Sequence, residues 1–138
     1  MMPSANEHQV GGSHYRNENG YQHWDLVADL RMNYFTAVLT KYVCRWRQKD
    51  GVRDLEKAIH YCQKLQELHA QGRMPWGERE QVPARYDARS LVLRLNLPQA
   101  EFNIVALAAL YHTPNDLAQL HTLLVDLLTE AMETRSSV

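Results

Sequence analysis

Residues 34–70, YFTAVLTKYVCRWRQKDGVRDLEKAIHYCQKLQELHA, decide the fold. Phe35, Val38, Leu39, Tyr42, Val43 and Trp46 recur at helical spacing, and Gly51 then offers a stop that a side chain would resist. After it, Leu55, Ala58, Ile59, Cys62, Leu65 and Leu68 mark a second apolar stripe that runs to Gly72. Two helices joined by so short a turn pack antiparallel, so the pattern predicts a helical hairpin.

Upstream, Asn33 is placed to cap the first of these helices, and residues 21–32 predict a shorter helix with Trp24, Val27 and either Leu30 or Arg31 along one side. Residues 1–20 are rich in Gly, Asn, Ser and Glu without periodicity and predict an extended arm. Downstream, residues 73–86 hold two prolines and a glycine and predict a linker. Residues 87–96 fit a strand by alternation or a short helix capped by Asp87. Pro98 then opens a helix that is apolar on nearly every side and must be buried, and Thr113-Pro114-Asn115-Asp116 starts a last helix with its stripe at Leu117, Leu120, Leu124, Leu127, Leu128 and Ala131. The expected fold is all-α: an N-terminal arm, a helical hairpin and a second, C-terminal helical hairpin. Residues 1–72 form one part, and residues 73–138 a second that packs on it as one domain. The apolar surplus of the last two helices predicts a homo-oligomer.

Length and composition agree. A chain of 138 residues with 45% apolar and 22% charged residues is of globular type and of single-domain size. A net charge of −1 supplies no global field for DNA or an anionic membrane, so neither partner is expected and any anion site must be a local cluster. No apolar run approaches the roughly 20 residues that span a bilayer. Cys44 and Cys62 lie inside predicted helices without CxxC spacing, which fits buried thiols in a reducing cytoplasm.

Three local clusters can carry chemistry. In the arm, Gly11 and Gly12 let backbone N–H groups turn toward an anion, with Ser13 and His14 as further donors and Tyr15 beside them; the same pair also reads as an ordinary turn. On the first hairpin helix, Lys41, Arg45 and Lys49 stand four residues apart beside Tyr42 and Trp46, with Arg47 and Arg53 enlarging the cluster. That stripe would neutralise phosphates and offer rings for a base, or would simply be a solvated face. Asp54 opens the second hairpin helix with Lys57 and Tyr61 on successive turns; it would orient Lys57, a hydroxyl or a metal, or serve the helix N-terminus. Asp25 and Asp29 share a face of the first helix. GxxxxGK[ST] is absent, which excludes a conventional P-loop kinase, and the seven histidines show no metal-ligand spacing.

Taken in order, QVGGSHY (9–15), YQHWDLV (21–27) and KYVCRWRQKDGVRDLEKAIHY (41–61) resemble the SaV-like family of small phage proteins over residues 8–70. One coliphage member is a deoxynucleoside monophosphate kinase without a P-loop. The resemblance implies a nucleotide-binding and phosphorylating protein of the host cell cytoplasm, with ATP or a dNTP as phosphoryl donor and Mg2+ as a companion that no motif here supports. The residues that carry the resemblance are Gln9, Gly11, Gly12, His14, Tyr15, Asp25, Lys41, Tyr42, Arg45, Lys49, Gly51, Asp54, Leu55, Lys57, Ala58 and Tyr61; read as an enzyme, the chain would use His14, Lys41, Arg45 and Asp54 in catalysis and Gly11, Gly12, Ser13, Tyr15, Tyr42, Lys49, Lys57 and Tyr61 in binding. Relatives often carry Gly-Asn where Ala37-Val38 stand and proline where His23 stands. Two other readings stand beside it: a non-catalytic nucleotide sponge acting against host defence, which keeps the same residues, and a module that binds a host protein through the C-terminal helices with the arm as a recognition peptide.

Overall fold

The computed structural model describes residues 5, 19–73, 87–111 and 113–136. These form six helices and no strand: α1 (His23–Leu30), α2 (Tyr34–Arg45), α3 (Val52–Ala70), α4 (Ala88–Leu93), α5 (Gln99–Leu110) and α6 (Pro114–Ser136). The all-α expectation holds.

Each helix starts for a local reason. The Asn33 carboxamide oxygen accepts from the Thr36 N–H at 3.0 Å and caps α2 as the sequence predicts. Asp87 accepts from Arg89 N–H at 3.1 Å, and that cap settles residues 88–93 as a helix rather than a strand. Thr113 and Asp116 exchange hydrogen bonds, each at 3.1 Å, in a capping box that opens α6. Two ends differ from expectation. Helix α2 stops at Arg45, and residues 46–51 form a turn in which Gly51, at φ 61° and ψ −134°, leads into α3. Helix α1 is shorter than predicted, because Arg31 takes a left-handed conformation at φ 49° and ψ 49° and ends it.

Helices α2 and α3 pack along one another, and α6 packs more extensively on α3 than on its hairpin partner α5. One core results, built from Leu26, Leu39, Val43, Leu55, Leu65, Val92, Ile104, Leu117, Leu120 and Leu124 among others, with residues from all six helices. The side of α1 that faces it carries Leu26 and Leu30; Trp24 is 51% exposed, so the stripe expected through Trp24 and Val27 is not the core face. The reason is Tyr21, whose buried ring precedes the helix and extends the Leu26 side. The apolar surplus of α5 and α6 is mostly covered within the chain, leaving Leu110, Val125 and Met132 as exposed large residues on these helices. Among the described residues no helix is long and apolar enough to cross a membrane.

Polar groups inside this core are tied down. Tyr111, 1% exposed, meets Thr36 Oγ1 at 3.0 Å and accepts from Asn33 Nδ2 at 3.2 Å, so the end of α5 is joined to the start of α2. His23 Nε2 lies 2.7 Å from Thr40 Oγ1. Burial, reinforced by the positive charge of Lys41, pushes the His23 imidazole down to about 4. Its folded value lies below the unfolded value of about 6.5, so its contribution to stability is whole above pH 6.5 and drains away as pH falls toward 4. Urea unfolding is expected to show a loss of roughly 2–3 kcal/mol from this group between pH 7 and pH 4, absent in His23→Gln. Equal pH slopes in the two proteins would refute the assignment.

Candidate functional site

Lys41, Tyr42 and Arg45 lie on α2, one helical turn or less apart, and α3 runs past them carrying Asp54, Lys57 and Tyr61. The hairpin thereby brings three cations to one ring. Lys41 Nζ stands 5.1 Å from the centroid of Tyr42, the Arg45 guanidinium carbon 4.9 Å and Lys57 Nζ 5.5 Å, all within the range where the ring quadrupole attracts a cation. Like charges gathered this closely repel one another, and an anion seated among them would relieve that repulsion. Tyr42 is the spacer that makes the gathering possible.

Asp54 sits beneath this cluster rather than in it. It is fully buried, and its Oδ1 accepts from Arg45 Nη2 at 3.3 Å while Oδ2 accepts from the backbone N–H of Asp50, also at 3.3 Å. Both oxygens therefore serve the hairpin. One holds Arg45 toward Tyr42, and the other closes the turn at the N-terminus of α3, where a carboxylate is favoured by the helix dipole. The expected partnership of Asp54 with Lys57 is replaced by Asp54 with Arg45, which leaves Lys57 to the ring.

An aromatic surface adjoins the cations. Tyr61 lies 6.1 Å from Tyr42, 6.1 Å from Tyr34 and 6.5 Å from Phe35, centroid to centroid. The Tyr34 and Tyr61 hydroxyls meet at 3.3 Å, and this hydrogen bond holds the Tyr61 phenol above its ordinary range, so it stays neutral. Tyr34 is 64% exposed and presents a ring face of the kind on which a planar base can stack.

The other expected residues divide. Lys49 is exposed in the turn after α2, beyond the end of the helical stripe. Gly11, Gly12, Ser13, His14 and Tyr15 lie outside the described residues. Asp25 and Asp29 are bound locally: Asp25 Oδ2 accepts from Gln22 N–H and Asp29 Oδ2 from the Tyr21 hydroxyl, each at 2.8 Å. Cys44 and Cys62 form no disulfide, and burial pushes both thiols up to about 12, so neither is a nucleophile at neutral pH. Among the described residues no group of three His, Cys, Asp or Glu side chains could hold a metal ion.

A second charged centre escapes the sequence reading. Arg47, which adjacency alone assigns to the basic cluster, turns away and donates from Nε to Glu101 Oε2 at 2.7 Å. Trp46 Nε1 donates to the same oxygen at 3.3 Å, and the Arg47 guanidinium lies 4.5 Å from the Trp46 ring. Glu101 is 2% exposed. Its signal in the sequence was a lone acid in the first turn of a helix otherwise apolar all round, which calls for a partner. No protein-family model, no curated protein and no solved structure matches the chain.

Proposed function

We propose that the chain is a nucleotide-binding protein that grips phosphate with Lys41, Arg45 and Lys57 and phosphorylates deoxynucleoside monophosphates. The observation that carries the binding is the convergence of three cations on the single ring of Tyr42. The aromatic surface of Tyr34 and Tyr61 beside them supplies a place for the base. Asp54 acts through Arg45, holding the guanidinium where a phosphate would meet it.

The motif resemblance supplies the reaction. Transfer of a phosphoryl group demands positioning and charge neutralisation far more than a covalent nucleophile, and a cationic face meets that demand. The resemblance assigns Gly11, Gly12 and His14 to the phosphates as well, and Mg2+ would arrive on the phosphates of an ATP or dNTP donor. Host cell cytoplasm is the setting that belongs to this reading.

Thermal unfolding against nucleoside mono-, di- and triphosphates tests it. At a ligand concentration one hundred times Kd, stabilisation of about 2.7 kcal/mol is expected, which raises the melting temperature by several degrees. Lys41→Ala and Lys57→Ala each weaken binding by roughly tenfold, the loss of one charge-assisted phosphate contact. Rising salt weakens it further. Absence of any shift would remove the reading. Incubation with ATP and each deoxynucleoside monophosphate, followed by chromatography, then separates phosphoryl transfer from binding alone.

A further inference from the structure

Three cations stand over the ring of Tyr42, but only one of them has an acid to answer it. Arg45 is paired with Asp54 at 3.3 Å. Lys41 and Lys57, both half-buried, have no carboxylate partner and no hydrogen-bond acceptor among the described residues. What each of them does have is the ring, at 5.1 and 5.5 Å from its centroid. A lysine side chain that nothing held would gain freedom by swinging into water, away from its like-charged neighbours. The negative face of the ring supplies the hold. The Tyr42 hydroxyl takes no part in it and makes no hydrogen bond with any described residue.

We propose that Tyr42 is a positioning residue that sets phosphate affinity through the electrons of its ring, keeping Lys41 and Lys57 gathered before the ligand arrives, and that it is not a platform for the base. The inference rests on the phosphate reading of this face. With three cations over it the ring is already engaged, and Tyr34, 64% exposed, is left as the surface for stacking. Without the ring, the two ammonium groups would separate in the free protein, and a phosphate would have to draw them back together against their repulsion. Phenylalanine at position 42 therefore serves as well as tyrosine. A fluorinated phenylalanine, nearly equal in shape but poorer in ring electrons, does not.

Inorganic pyrophosphate is the probe, titrated calorimetrically into the full chain, because it has no base and reads the cations alone. Tyr42→Phe is expected to keep the affinity within about twofold. Mono-, di- and trifluorinated phenylalanine at position 42 lower it stepwise, by roughly tenfold at the last, and Tyr42→Leu lowers it at least as far. Trifluorinated phenylalanine in place of Phe102, whose ring carries Arg89 at 5.1 Å, leaves it unchanged. In the ligand-free protein, nuclear magnetic resonance is expected to show the ε-methylene protons of Lys41 and Lys57 upfield of those of exposed Lys49, shifted by the ring current. That shift persists in Tyr42→Phe and is lost in Tyr42→Leu. Equal affinity across the fluorinated series, a large loss with phenylalanine alone, or unshifted lysine resonances in the native chain would overturn the proposal and leave the phosphate reading in place. No saturable binding of pyrophosphate by the native chain would overturn both.

Discussion

Arg45→Ala is expected to lower the unfolding free energy by about 3 kcal/mol, the larger part of which comes from the acid it abandons. Asp54 is fully buried and Arg45 only 18% exposed, so solvent cannot take over the role of the guanidinium. The Asp54 carboxylate would retain the N–H of Asp50 and lose its counter-charge. Lys41→Ala, by contrast, removes a cation that stands beside a ring and is expected to change stability by less than about 0.5 kcal/mol while weakening phosphate binding. The double variant Arg45→Met/Asp54→Leu replaces the ion pair by apolar groups and should regain more than half of the lost stability without regaining binding. Urea unfolding of the four proteins checks the set. A single variant that loses less than about 1 kcal/mol would show that the pair does not hold the hairpin.

Leu120→Ala is expected to cost about 3 kcal/mol, within the range for removing a fully buried leucine side chain. Its wider effect is the more informative one. Leu120 belongs to the same core cluster as Leu39 and Val43, with α3 lying between α6 and α2. In a single cooperative unit, hydrogen exchange of the slowest α2 amides should accelerate by the factor that corresponds to the whole loss, about a hundredfold. Unchanged protection in α2 would mean that the two halves of the chain unfold separately.

Apolar spacing made α3 legible: Leu55, Ala58, Cys62, Leu65 and Leu68 are all buried, as their period requires. Capping chemistry made the starts of α2 and α6 legible, because Asn33 and Thr113 act on neighbours three residues away. Where tertiary contact decides, the sequence misled. Trp24 is the bulkiest apolar residue of α1 and yet lies outside, since Tyr21, Leu26 and Leu30 fill the available space. Arg45 and Arg47 look equivalent in a list of basic residues, but α2 ends at Arg45 and the turn that follows carries Arg47 to another partner, so only Asp54 and Glu101, 9 and 54 positions distant, distinguish their roles. Lys57 reached the cation cluster through Tyr42 on the facing helix, a contact that no local spacing encodes. The glycine pair of the arm lies outside the described residues.

The two-sidedness of α2 bears on how this chain can change over evolutionary time. Each residue along a helix turns the next by about 100°. An insertion or deletion of one residue between Tyr42 and Arg45 would swing every following side chain around the axis, displacing Arg45 from Asp54 and shifting the turn that carries Arg47 away from Glu101. Substitutions at any one of these positions harm a single centre, but a change of length harms both together. This segment should therefore hold a fixed length across descendants even where its individual residues drift, and length variation should collect instead outside the helical hairpin.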